Sequence, residues 1–400
     1  MNVLGVTAEY NPFHTGHQYQ LQASRQLLEP DTAVVAVMSG NWIQQADCAI
    51  ADKWVRSRLA LMGGADLVLE LPTPWATASA EAFCRGAVSL LHATGVVTHI
   101  SFGSECGDVE ALARIAHCLN SPGYGAALSG SLARGLSFPA ARQEAVRRLL
   151  GDGADLLDTA NNNLGVEYLR ALDLLHSSIT PITIPRRGAG HNSITTEAVP
   201  HISATQIRRA IRSGMPEQIS PYLLSGEAEL LEGCCTSSQH IHRAMLARLR
   251  SMSREDWANY PDSGVAEGLP QRLYNAARQS RSMEEFYVLA KTRRYTHARL
   301  RRLALRAFLG ITADQLPDAP PYLRVLGFNG RGQQLLKDMK KNATLPLITK
   351  PAHARALDSE GRRLFELEAR CTDLFDLCLD EIPVPGREWT TGPVILKEES

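Results

Sequence analysis

Along the first two hundred positions the apolar residues fall into short unbroken runs: Val3 to Ala8, Ala33 to Met38, Leu67 to Leu71, His99 to Phe102 and Ile182 to Ile184. A strand with one wet face alternates apolar and polar positions, whereas a strand covered on both faces reads as a continuous run. Helical stretches separate the runs, so the pattern predicts an α/β fold around a parallel sheet. Such sheets bind ligands beyond the carboxyl ends of their strands. After about Ser213 the rhythm changes to long helical stretches, from Gln239 to Met252, Leu269 to Gln279 and Met283 to Leu309, with few strand-like runs. The 400 residues exceed what one core usually serves. Residues 1–215 are therefore expected to form the sheet domain and residues 216–400 a mostly α-helical one. The last twenty residues, with Pro383, Pro385, Gly386 and Pro393, are expected to be extended or loosely ordered.

Composition narrows the class only a little. Forty-two basic residues balance forty-two acidic ones, so net charge points to no partner, although local patches still can. The N-terminus lacks a basic region followed by an apolar core, and no run approaches the ~18 apolar residues that span a bilayer. A cytoplasmic location is expected, with neither a membrane nor an obligate protein partner. The eight cysteines show no C-x-x-C pair and none of the spacing of a zinc site, so no protein-held metal is expected.

Directly after the first run stands Glu9-Tyr10-Asn11-Pro12-Phe13-His14-Thr15-Gly16-His17. Asn11-Pro12 punctuates a loop, and Gly16-His17 opens a helical stretch. Two imidazoles three residues apart at a helix start, where free amides and the helix dipole already favour an anion, suit a nucleoside triphosphate. A surface turn with two polar histidines is the plainer explanation of the same letters; the position between strand and helix favours the nucleotide. A second element, Ile202-Ser203-Ala204-Thr205-Gln206-Ile207-Arg208, follows Pro200-His201. Ser203 with Gln206 fits a helix capping box, with Ile207, Ala210 and Ile211 on the buried face. The same helix start presents two hydroxyls and a guanidinium that can reach phosphate oxygens.

Paired in this order, the two elements resemble those of the HIGH-type nucleotidyltransferases, in which both contact ATP. The longer form of the first element resembles the bacterial tRNA-Met cytidine acetate ligase family. Met38-Ser39-Gly40-Asn41, Asp52-Lys53-Trp54, Gly64-Ala65-Asp66-Leu67-Val68, Glu70-Leu71-Pro72, Phe102-Gly103-Ser104-Glu105, Leu164-Gly165-Val166-Glu167-Tyr168, Gly188-Ala189-Gly190 and Lys291-Thr292-Arg293-Arg294-Tyr295-Thr296 extend the likeness over roughly residues 1 to 350. The resemblance implies a Rossmann-like nucleotidyltransferase domain and a helical, tRNA-binding C-terminal domain. It also implies a two-step reaction: ATP activates acetate as acetyl-adenylate with release of pyrophosphate, and the acetyl group passes to N4 of the wobble cytidine in the anticodon of elongator tRNA-Met.

By the same resemblance the ATP contacts run along Thr7, Ala8, Glu9, Tyr10, Asn11, Pro12, Phe13, His14, Thr15, Gly16, His17, Gln18, Tyr19 and Gln20. Gly103, Asn161, Asn162, Arg186, Ser203 and Thr205 complete the pocket. His14 and His17 take the catalytic role, since attack of acetate on the α-phosphate needs the triphosphate held in line and its charge offset. Mg²⁺ is expected to be bound mostly through the phosphates, because no compact carboxylate cage is visible. One departure stands out. By the resemblance relatives usually carry Gln-Arg-Gly where this chain has Gln44-Gln45-Ala46, so the contact of that arginine is either lost or supplied from elsewhere, with Lys53 or Arg56 as candidates.

Between residues 291 and 306 the chain carries Lys291, Arg293, Arg294, Arg299, Arg301, Arg302 and Arg306 and no acidic residue. On one continuous helix Lys291, Arg294, Tyr295 and Arg302 would share a stripe, with Leu300, Leu303, Ala304 and Ala307 opposite. Lys291, Arg293, Arg294, Tyr295, Arg299 and Arg302 are the expected RNA-binding residues, the guanidiniums for phosphates and the phenol ring for stacking. A solvated basic surface is the alternative. Two other functions stay open at this stage: a nucleotidyltransferase making a soluble cofactor, and an RNA-binding relative without catalysis.

Overall fold

The computed structural model describes residues 2–185 and 202–397. Five parallel strands form the centre of the sheet in the order β5-β2-β1-β6-β7: β1 (Val3–Ala8), β2 (Ala33–Ser39), β5 (Leu67–Leu71), β6 (His99–Ser104) and β7 (Thr180–Pro185). Every residue of β2 and β5 is buried, which is why their sequences do not alternate. The chain crosses from β1 outward to β2 and β5, then returns to the other side of β1 for β6 and β7. That reversal between β1 and β6 is the topological switch point, where the strand ends diverge and leave a crevice.

The sheet does not end with the first half of the chain. β8 (Leu323–Phe328) pairs antiparallel with β5, and β9 (Leu347–Ile348) and β10 (Val394–Ile395) lie parallel to β8. The few strands of the second half, β8 as long as β1 and β9 and β10 of two residues each, do not form a separate unit but cap one edge of this sheet. Asp66 fastens this addition. Its backbone carbonyl accepts from Asn329 N at 3.1 Å and its carboxylate from Asn329 Nδ2 at 2.9 Å, while the other carboxylate oxygen accepts from Val34 N and Arg25. The helix Gly330–Asn342 then packs so closely that a Cβ on Gly332 would lie 1.9 Å from the Asp66 carbonyl oxygen. Asp66 thus joins the added edge to the parent sheet.

A buried ionic cluster makes the second tie. Lys53, first residue of the helix Lys53–Met62, lies 2.7 Å from Glu70 of β5 and 2.5 Å from Glu388, with Arg324 of β8 at 3.5 Å from Glu388. Nearby, Glu368 accepts from both the amide and the hydroxyl of Thr73 at 2.7 Å. Glu388 sits on the short helix Arg387–Thr390 and is wholly buried, so the C-terminal segment expected to be loose is anchored there and by β10, while Ile382, Val384 and Ile395 stay exposed. Residues 242–309 form the helical part, with Trp257 and Phe286 in its core. No helix among the described residues is long and apolar enough to cross a membrane.

Candidate active site

The crevice at the switch point is walled by the loop after β1. Tyr10 adopts a left-handed backbone (φ 43°), the Asn11–Pro12 peptide is cis, and His14 caps the helix Thr15–Leu27. Its Nδ1 accepts from Gly16 N at 3.0 Å, so the neutral ring carries its proton on Nε2. A Cβ on Gly16 would stand 2.8 Å from the His14 ring; the glycine is therefore required for the histidine's own position as well as for close approach of a ligand. The two imidazoles lie with centroids 3.9 Å apart, and His17 is packed by Tyr10 and Phe13 at 5.0 and 5.4 Å.

This loop is held from three sides. Asn11 Oδ1 accepts from Ile50 N, the Glu9 carbonyl from Arg56 Nη1, and the Glu9 carboxylate from Gln44 N. Burial pushes the Arg56 guanidinium down to about 10, against the pull of Asp52, Glu9 and Glu70, and it also binds the Ser39 and Gly40 carbonyls. Lys53 is equally buried. Neither cation reaches the crevice, which corrects the expectation that one of them replaces the charge absent at Gln45. Gln44 and Gln45 themselves line it, at the tip of the hairpin β3 (Trp42–Ile43) and β4 (Asp47–Cys48), where Ala46 sits at φ 58°.

The second motif arrives at the same place. Ser203 and Gln206 form the capping box of the helix Ala204–Arg212. Arg208 donates to the Asn11 carbonyl at 2.8 Å and to the Thr205 hydroxyl at 3.1 Å, so it ties the two motifs together across nearly two hundred positions. Desolvation lowers its pKa, with Glu9 opposing.

On the far wall, Gly103 is the penultimate residue of β6 and Asn161 lies in the first turn of the helix Ala160–Leu174. Glu105 accepts from the side chain and amide of Asn161 and from the amide of Asn162. Burial raises the Glu105 carboxyl, but these hydrogen bonds outweigh it and hold it below the usual range. Asn162 turns away and accepts from the amides of Glu105 and Cys106, bracing the loop behind the crevice.

The crevice encloses about 270 Å³ and brings together Thr7, Ala8, Glu9, Tyr10, Asn11, His14, Gly16, His17, Tyr19, Gln20, Gly103, Asn161, Ser203 and Thr205. Pro12, Phe13, Thr15, Gln18 and Asn162 are not on its lining; Phe13 is fully buried and fills the space a Cβ on Gly63 would take. Arg186 and Gly188 to Gly190 lie outside the described residues. Sequence reasoning missed the aromatic wall of Phe83, Phe102 and Tyr168. Phe102 and Tyr168 pack at 5.6 Å, Thr7 donates to the Tyr168 hydroxyl, and Gly165 is small so that its helix can rest on Phe102. Only Gly165 three positions before Tyr168 hinted at that wall.

The basic segment is built differently from the stripe expected. Residues 291–296 form a turn, Thr296 is the N-cap, and the helix runs His297–Leu309. Tyr295 is 5% exposed, with its hydroxyl donating to the Glu267 carbonyl, so its ring is packed and offers no open stacking face. Asp262 and Glu267 supply the acids the segment lacks: Arg299 meets both, at 3.1 and 3.0 Å, and Arg302 meets Asp262 at 3.6 Å. Lys291 folds onto the Thr292 carbonyl and Arg306 is buried against the Pro74 carbonyl. Arg293 and Arg294 are exposed and make no ion pair among the described residues.

Comparison with known proteins agrees with this geometry. The family model described as HIGH Nucleotidyl Transferase matches residues 1–385. A protein of Caldanaerobacter subterraneus subsp. tengcongensis named tRNA(Met) cytidine acetate ligase is 40% identical, over 94% of this chain and 95% of its own. The protein of that name from Acetivibrio thermocellus is 37% identical, over 99% and 100%. Two crystal structures of Thermotoga maritima TmcAL, one bound to α-thio ATP and one apo, superpose with TM-scores of 0.90 and 0.94 at 33% identity over the full length of both chains. With both motifs converging on one switch-point crevice, the chain belongs to the HIGH nucleotidyltransferases, within the tRNA(Met) cytidine acetate ligase family.

Proposed function

We propose that this chain is an ATP-dependent ligase that activates acetate and transfers the acetyl group to N4 of the wobble cytidine of elongator tRNA-Met, in the cytoplasm. The observation that carries the reading is the Arg208 bridge, which sets Ser203 and Thr205 of one motif opposite His14 and His17 of the other around one crevice. In the first step an acetate oxygen attacks the α-phosphorus of ATP and the bond to pyrophosphate breaks. The His14 Nε2–H, fixed by the Gly16 contact, is suited to donate to phosphate oxygens as negative charge builds on the leaving group. In the second step the cytidine N4 attacks the acetyl carbonyl, AMP leaves, and N4 gives up a proton.

Mg²⁺ fits as an ion carried by the phosphates. Glu9 is the carboxylate on the lining, and no cluster of three potential ligands occurs among the described residues. Gln45 puts a neutral amide on the rim where the resemblance implies an arginine, so phosphate neutralisation is assigned to the histidines, the helix start at Ser203 and the ion. Incubation with ATP, labelled acetate and tRNA-Met tests the reading. Pyrophosphate release with labelled N4-acetylcytidine is the expected result, lost in His14→Ala and His17→Ala. Pyrophosphate release with no acetylated cytidine under any tRNA condition overturns it.

A further inference from the structure

A second pocket, of about 590 Å³, lies on the helical part between the helix Leu269–Gln279 and the turn at 291–296. Its volume is within the range of small-ligand sites. Gln271, Asn275 and Gln279 line it from one face of the helix, as positions i, i+4 and i+8 must. Gln271 Nε2 donates to Asn275 Oδ1 at 2.9 Å, which leaves the Gln271 carbonyl oxygen as an acceptor and the Asn275 amide hydrogens as donors on the same helix face. That is the complement of a nucleobase edge.

The opposite wall is rigid. Arg272 donates to the carbonyls of Leu289, Ala290 and Lys291 at 2.7, 2.6 and 3.1 Å, locking the end of the preceding helix to the start of the turn. Behind it the packed Tyr295 closes the pocket, and the exposed Arg294 stands at its rim. Amides placed for a base edge and a guanidinium beside them for a phosphate, on an accessible face of the helical part, point to one kind of occupant.

We propose that this pocket takes one unstacked nucleotide of the bound tRNA, its base read by Gln271 and Asn275 and its phosphate held by Arg294; the inference rests on the tRNA-ligase reading. Single-stranded RNA is read in this way, with bases splayed from the stack and bonded along their edges.

The test uses the full chain and tRNA-Met, with affinity measured by fluorescence anisotropy across a salt series. Asn275→Leu removes a neutral contact and is expected to weaken binding roughly tenfold at every salt concentration with the slope of log K on log salt unchanged. Arg294→Ala is expected to weaken binding and reduce the magnitude of that slope by about 1, one phosphate contact. Both positions are exposed, and an unchanged thermal midpoint shows that the fold is kept. Asn275→Leu binding as tightly as wild type overturns the pocket while the ligase reading stands, as does loss confined to the slope in both variants. A wild-type chain that does not retain tRNA overturns both.

Discussion

Glu368→Gln separates a buried carboxyl from its charge. Glu368 is fully buried, and desolvation, with the nearby Glu70 charge, pushes its carboxyl up from 4.5 to about 8 despite Lys53 and the Thr73 contact. Between those values the folded chain holds a proton that the unfolded chain has released. Stability from this group is therefore complete below about pH 4.5 and is lost as pH rises toward 8. At roughly 1.4 kcal/mol per pH unit, the cost to wild type reaches on the order of 3 kcal/mol by pH 7, an upper bound that structural relaxation reduces. Glutamine reproduces the neutral form: its carbonyl oxygen accepts from Thr73 N, and its amide donates to a Thr73 hydroxyl turned to accept. Thermal midpoints of both proteins from pH 5 to pH 9, followed by circular dichroism, provide the assay. The variant should match wild type near pH 5 and exceed it by several degrees at pH 8. A difference that stays constant across the series refutes the protonated carboxyl.

Ala46→Gly, at φ 58° in the three-residue loop of the β3–β4 hairpin, should stabilise the chain by about 0.5–1 kcal/mol, because a Cβ is penalised in the left-handed region; a lower melting point in the glycine variant counts against it. Gly332→Ala should cost about 2–3 kcal/mol by driving a Cβ into the Asp66 carbonyl, and chemical denaturation at neutral pH will show the lowered midpoint or its absence. Arg208→Gln removes a charge-assisted bond to the Asn11 carbonyl and should raise the KM for ATP on the order of tenfold. Steady-state pyrophosphate release measures it, and an unchanged KM means the motif loop holds its shape without Arg208.

The sheet strands, the capping box and the two motifs that line the crevice were legible in the chain because each is encoded by neighbours in sequence: unbroken apolar runs mean two buried faces, and Ser203 with Gln206 is a helix start whatever surrounds it. His14 and His17 likewise belong to one helix turn. What joins distant segments could be decided only by folding. Arg208 finds the Asn11 carbonyl, β8 and β10 extend a sheet begun three hundred residues earlier, and Glu388 of a tail expected to be loose neutralises Lys53. The basic segment shows the difference most plainly: no acid stands among residues 291–306, yet Asp262 and Glu267 come to Arg299 and Arg302 through space. Coulomb energy depends on distance and burial, and neither is written in the order of residues.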